Sequence, residues 1–302
     1  IKNKGLSLSG LKEMIAKLFT GDKDFEKLLQ DAKIDLNDFK DRRENNLKAI
    51  LETIELKVPN KSMQEPLQAA KLDLNDYKDR NENNLLQVAA MKSCVNVVKK
   101  LLEAIKAVKQ SDFLLLTNPN MFGYTALHIA AILGHVEVVK ALLEAVRNKK
   151  EHMSELLTIT DRQDKQTALH VAASEGRVEV VKALLKAAGD IDGGDQVFQL
   201  KLLTMLTFSK QTALHMAAGH RRVAVVKVLL AAVTKKPNDK MEEIRLALLK
   251  KQCFHGLTVL QKAASKPKNV QVVNALLEAA GTRVSELLQW DPNFRTSALH
   301  VA

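Results

Sequence analysis

Apolar residues recur along this chain in two alternating blocks. The first is short and rich in small residues: Thr125-Ala-Leu-His-Ile-Ala-Ala131, Thr167-Ala-Leu-His-Val-Ala-Ala173 and Thr212-Ala-Leu-His-Met-Ala-Ala218. The second is longer, as in His135-Val-Glu-Val-Val-Lys-Ala-Leu-Leu-Glu-Ala145 and Arg177-Val-Glu-Val-Val-Lys-Ala-Leu-Leu-Lys-Ala187. Its Val138, Val139, Leu142 and Leu143 fall at i, i+1, i+4 and i+5, one face of a 3.6-residue helix. The first block is helical as well. Thr125 is a good N-cap, and the Ala130-Ala131 pair lets a neighbouring helix approach closely. Gly134 and Gly176 stand where the short helix has to end in a left-handed turn. Each pair of blocks therefore predicts a short helix, a tight turn and a longer amphipathic helix running back. No segment alternates with period two, so no sheet is expected.

Weaker copies extend the pattern in both directions: Asn84-Leu-Leu-Gln-Val-Ala-Ala90, Thr258-Val-Leu-Gln-Lys-Ala-Ala264 and the cut-off Ser297-Ala-Leu-His-Val-Ala302. The second block returns at Val95, Val223 and Val270, and residues 35–47 are nearly duplicated at 73–85. Frames start near residues 46, 84, 125, 167, 212, 258 and 297, at spacings of 38 to 46 residues. A fixed unit repeated at such a spacing is the mark of a stacked array. Residues 151–157, 196–206, 241–249 and 283–288 are apolar at helical spacing and predict a short third helix in each unit. Residues 1–34 read as an N-terminal helical segment or a degenerate capping repeat, and residues 35–302 as the array, its last repeat truncated. The chain starts at Ile1 and stops inside a motif, so a longer parent is expected.

These motifs resemble the ankyrin repeat, whose hallmark is Thr-Pro-Leu-His-x-Ala with a period of about 33 residues. Here Ala replaces the hallmark Pro, the period is longer, and the Gly expected two residues before the Thr survives at Gly123 and Gly256 but is Lys165 and Lys210 between them. The resemblance implies an all-α ankyrin-repeat solenoid of about seven stacked helix-turn-helix repeats, with an extra short helix in the insertions. It also implies that His128, His170, His215 and His300 are structural, bonding backbone groups that join adjacent turns. Binding is then expected on the concave face made by the inter-repeat fingers and the first helices. By position, the fingers offer Met121, Phe122, Tyr124, Arg162, Asp164, Lys165, Lys210, His255, Trp290 and Phe294. The first-helix ends offer Met91, Lys92, Ile132, Leu133, Ser174, Glu175 and His220. Phe208 and Phe254 have two readings, as plugs between repeats or as exposed anchors.

Composition narrows the function. Hydrophobic residues make up 46% and charged residues 27%, the balance of a soluble globular chain. A net charge of +11 raises the question of nucleic acid, but 4% aromatics and lysines spread along the chain favour a solvated surface. The basic doublets at 99–100, 149–150, 235–236 and 250–251 mostly close the second helix or border the insertion, and are read as a solvated, dipole-matched edge. Cys94 and Cys253 are too few for a disulfide framework and read as half-buried fillers in a reducing, cytoplasmic setting. No phosphate loop, nucleophile elbow or metal-ligand spacing occurs, so no catalytic residue, metal or cofactor is expected. The expected function is a monomeric, non-catalytic scaffold for a partner protein, with no membrane span. The alternatives are the targeting arm of a larger effector or toxin enzyme, and nucleic-acid binding through the Lys-rich edge. Lysine- and asparagine-rich usage resembles that of AT-rich genomes, as in intracellular bacteria and insect symbionts. Their ankyrin-repeat effectors act on host proteins, which would place the chain in host cytosol or nucleus.

Overall fold

The computed structural model describes residue 78 and residues 81–107, 112–191, 197–234 and 239–288. The N-terminal segment 1–34, the frames at 46 and 297, the doublet at 235–236, Trp290 and Phe294 lie outside the described residues. Fifteen α-helices follow one another among the described residues: α1 (Leu85–Met91), α2 (Val95–Ala107), α3 (Asp112–Thr117), α4 (Ala126–Leu133), α5 (Val136–Ala145), α6 (Lys150–Thr158), α7 (Ala168–Glu175), α8 (Val178–Ile191), α9 (Val197–Thr204), α10 (Ala213–Gly219), α11 (Val223–Thr234), α12 (Asp239–Lys250), α13 (Val259–Ala264), α14 (Val270–Ala280) and α15 (Val284–Leu288). Among the described residues there is no β-strand, only an isolated bridge between Gln252 and Thr258. The fold is all-α.

The chain divides into two compact units, residues 1–130 with 137–145, and residues 131–136 with 146–302. In the second unit the first helices α7, α10 and α13 stack in order, and so do the longer helices α8, α11 and α14. The third helices pack against the longer ones, α6 and α9 on α8 and α12 on α11. In the first unit α1 packs on α2. The predicted third helices are thus present as α6, α9, α12 and α15. Helix α3 is one more of the same kind.

Each first helix starts with a reciprocal cap. In α10 the Thr212 hydroxyl accepts from His215 N, while the His215 ring is aimed back at Thr212 N and Oγ1. Two repeats achieve this without histidine: Gln87 Oε1 accepts from Asn84 N at 2.6 Å, and Gln261 Oε1 accepts from Thr258 N at 2.8 Å. Either side chain satisfies a helix-start donor that has no intrahelical partner. The alanine pairs are fully buried, Ala172-Ala173 and Ala217-Ala218 at 0% exposure, and permit the close stacking of α7 on α10. On the longer helices Val180, Val181, Leu184 and Leu185 are buried, as the spacing predicted, and a fully buried Leu contributes roughly 2–3 kcal/mol.

Two left-handed residues recur in each repeat. One lies two residues before the cap (Glu82, Gly123, Lys165, Lys210, Gly256), and the other ends the first helix (Ser93, Gly134, Gly176, Arg221, Lys268). Glycine takes such angles freely, whereas an L side chain is strained there. The frame keeps the conformation where the sequence has lost the glycine.

The residue just before the longer helix reaches back one repeat. Arg177 Nε donates to Ile132 O at 2.9 Å, Arg222 Nε to Ser174 O at 2.8 Å, and Asn269 Nδ2 to Ala218 O at 3.0 Å. Each closes a carbonyl at the end of the preceding first helix, which the helix itself leaves open. The arginines need glycine below them: a Cβ on residue 134 would fall 2.8 Å from Arg177 Cδ, and one on residue 176 would fall 2.7 Å from Arg222 Cδ.

Two expectations are corrected. Lys149-Lys150 borders the insertion, as expected, but opens α6 and so has no helix C-terminus to match, and Lys99-Lys100 lies inside α2. Among the doublets that lie in the described residues, Lys250 alone, in the last turn of α12, has the expected match to a helix C-terminus. Cys94 and Cys253 carry no disulfide and are 2% and 5% exposed, and so buried instead of half-buried.

Candidate functional site

The fingers are short loops closed by one shared hydrogen bond. The N–H of the first finger residue donates to the carbonyl just before the cap: Asn120 to Tyr124, Asp161 to Gln166, Thr207 to Gln211 and Cys253 to Leu257. That first residue is buried and braces the turn. Asn120 Oδ1 accepts from Phe122 N and Tyr124 N, and Asp161 Oδ1 accepts from Asp164 N at 2.7 Å. The next N–H points to the preceding finger. Phe208 N donates to Asp164 O at 2.6 Å and Phe254 N to Ser209 O at 2.9 Å; in the first unit Met121 N donates to Asn81 O at 3.1 Å. With the backbone held on both sides, the side chain of that residue is turned out. Met121 is 47%, Phe208 70% and Phe254 69% exposed. The reading of Phe208 and Phe254 as plugs between repeats is therefore overturned; they are the most open aromatics among the described residues.

The other sequence-predicted residues divide by their place in the frame. Phe122 is exposed, while Tyr124 is half-buried, its ring 6.0 Å from that of His128. Arg162, Asp164, Lys165, Lys210 and His255 are exposed on their fingers. Of the pairs that end the first helices, the leading residue is half-buried (Met91, Ile132, Ser174) and the trailing one exposed (Lys92, Leu133, Glu175, His220). His220 Nδ1 lies 2.9 Å from Met216 O and 3.3 Å from Ser174 Oγ, joining two repeats.

Of the hallmark histidines, His128, His170 and His215 are buried and structural. His170 Nε2 reaches Met205 O at 3.0 Å, where the next finger begins. His215 faces the equivalent carbonyls of Lys251 and Leu257, but its Nε2 closes no hydrogen bond. Burial, and after it the charge of Lys262, lowers its pKa to about 4. Lys262 escaped the sequence reading. It fills the slot taken by Ile129, Val171 and Met216 in other repeats, and a cation in an apolar slot was the available signal. Its stem crosses Gly219, where a Cβ would fall 2.7 Å from Lys262 Cε, and its ammonium donates to Gln211 Oε1. Among the described residues no carboxylate is within 4 Å of it. Burial, and then the Lys266 charge, lowers its pKa. No group of three or more His, Cys, Asp or Glu among the described residues is arranged to hold a metal ion.

A family model described as ankyrin repeats, in three copies, matches residues 21–150, 111–196 and 144–241. The chain belongs to the ankyrin repeat family. The crystal structure of the ankyrin repeat domain of Bcl-3, described as a unique member of the IkappaB protein family, has the same fold. The two share 18% identity at a TM-score of 0.58, over 85% of this chain and 90% of that one. No match to a curated protein was found. Ankyrin repeats generally mediate protein–protein interaction, and domains of this family are typically non-catalytic. No helix among the described residues of this ankyrin chain is long and apolar enough to cross a membrane.

Proposed function

We propose that the chain is a non-catalytic scaffold that holds a partner protein on its fingers and first-helix ends. The reading is carried by the contrast between a constant frame and a varied rim. In the second unit Thr167 and Thr212, the pairs Ala172-Ala173 and Ala217-Ala218 and the valine–leucine faces of α8 and α11 repeat and are buried. The side chains that the frame leaves exposed change from finger to finger: Arg162, Asp164 and Lys165, then Phe208 and Lys210, then Phe254 and His255. A fixed backbone that displays different groups at one slot is what selective recognition needs, and exposed aromatics supply anchors. In the first unit Met91, Lys92, Met121, Phe122 and Tyr124 form a rim of the same kind. Two cysteines without a disulfide suit a reducing compartment.

The test is capture of interacting proteins from a cell lysate, compared between the unchanged chain and a Phe208→Asp, Phe254→Asp variant. The variant is expected to keep its helical circular dichroism and lose its captured proteins. A Lys149→Glu, Lys150→Glu variant is expected to keep them, since rim-distant charges act mainly on association rate. Loss in the lysine variant alone would move the binding surface to the third-helix edge.

A further inference from the structure

Lys262 and the two exposed phenylalanines lie around the same pair of fingers. Lys262 holds Gln211, the last residue of the finger that carries Phe208. It stands on α13, the helix that follows the finger carrying Phe254. The phenylalanines occupy one slot on consecutive fingers, joined through Phe254 N and Ser209 O. Lys262 is half-buried, and among the described residues its ammonium has a neutral amide for its partner. A cation partly withdrawn from water without an opposite charge favours an anion, because the desolvation has already been borne. The surrounding rim has the same sign. Arg162, Lys165, Lys210 and Lys266 are exposed there, against the carboxylates Asp164 and Glu175.

We infer that this surface takes an extended acidic segment of a partner protein, with a carboxylate on Lys262 and apolar side chains on Phe208 and Phe254. The assignment rests on the finger-face reading above and names the chemistry of its ligand. Among Arg162, Lys165, Lys210, Lys262 and Lys266 one alone carries a guanidinium fork suited to phosphate, and an ammonium held beside fingers that expose Phe208 and Phe254 matches a carboxylate with apolar neighbours. The neighbouring repeat carries Met216 in the Lys262 slot, so methionine fits this frame without the charge.

The experiment selects binders to the whole chain from a displayed library of random linear peptides, then measures one enriched synthetic peptide by fluorescence anisotropy. Enriched sequences are expected to combine Asp or Glu with large apolar residues. Affinity is expected to fall about tenfold or more in Lys262→Met and in Phe208→Ser with Phe254→Ser, and to weaken with salt. Peptides that bind through the phenylalanines but are indifferent to Lys262→Met would overturn the acidic assignment and leave the finger face standing. Peptides indifferent to both changes, or no enrichment at all, would overturn both. A single-stranded 20-nucleotide DNA that outcompetes the peptide in a Lys262-dependent way would replace the peptide by nucleic acid.

Discussion

His215 shows what one buried side chain does to the pH response. Its proton is held at a pKa of about 4 in the fold against 6.5 in the free chain, through burial first and Lys262 second. The unfolded chain binds the proton more readily between these values. Stability from this group is therefore complete above about pH 6.5 and is lost as pH falls toward 4, reaching about 2 kcal/mol at pH 5 and about 3 kcal/mol at pH 4. The chain contains its own replacement. Gln87 caps Asn84 and extends Nε2 to Asn118 O and Tyr124 O, the positions that Lys251 and Leu257 hold opposite residue 215. His215→Gln is expected to fold, to keep α10 capped and to flatten the pH dependence. Urea denaturation at pH 7.5 and pH 5 measures it, and an unchanged slope would remove His215 as the cause.

At the scale of the element, the turn that ends each first helix asks for a left-handed residue, and Lys268 adopts it at φ 59° without glycine's freedom. Lys268→Gly is expected to raise the unfolding free energy by about 1 kcal/mol, read from the denaturant midpoint at constant slope. A lower midpoint would mean that the lysine side chain contributes more than its backbone costs. The same elements show how much of the fold was legible in the sequence. Val138, Val139, Leu142 and Leu143 announced their helix because burial and helical period leave one mark. Gly134 and Gly176 announced the turn because few residues accept positive φ. Phe208 and Phe254 stayed undecided, since their outward direction comes from a backbone hydrogen bond to the previous finger that no side-chain pattern records. Lys262 went unnoticed for a related reason: its meaning depends on Gln211 and Gly219, about fifty residues earlier in the chain.

For the molecule as a whole, stability in a repeat array is a sum of repeats and the interfaces between neighbours. Leu184 is fully buried on α8, against which α6, α9 and α11 pack. Leu184→Ala is expected to cost about 2–5 kcal/mol. Hydrogen exchange should show protection falling first in α7 and α8 and in the helices stacked on them. A uniform fall across every helix would show cooperative melting instead. The stitches between repeats have a further property. Arg177, Arg222, Asn269, His170, Gln87 and the finger N–H groups all end on main-chain carbonyls. A carbonyl is present whatever residue carries it, so beyond the glycines at 134 and 176 that leave room for Arg177 and Arg222, these joints do not read the neighbour's side chains. A gene built this way can gain or lose a unit by recombination without rewriting the flanking ones, and the near-duplicate segments at 35–47 and 73–85 are what such an event leaves behind. Array length is then free to change while the rim diverges.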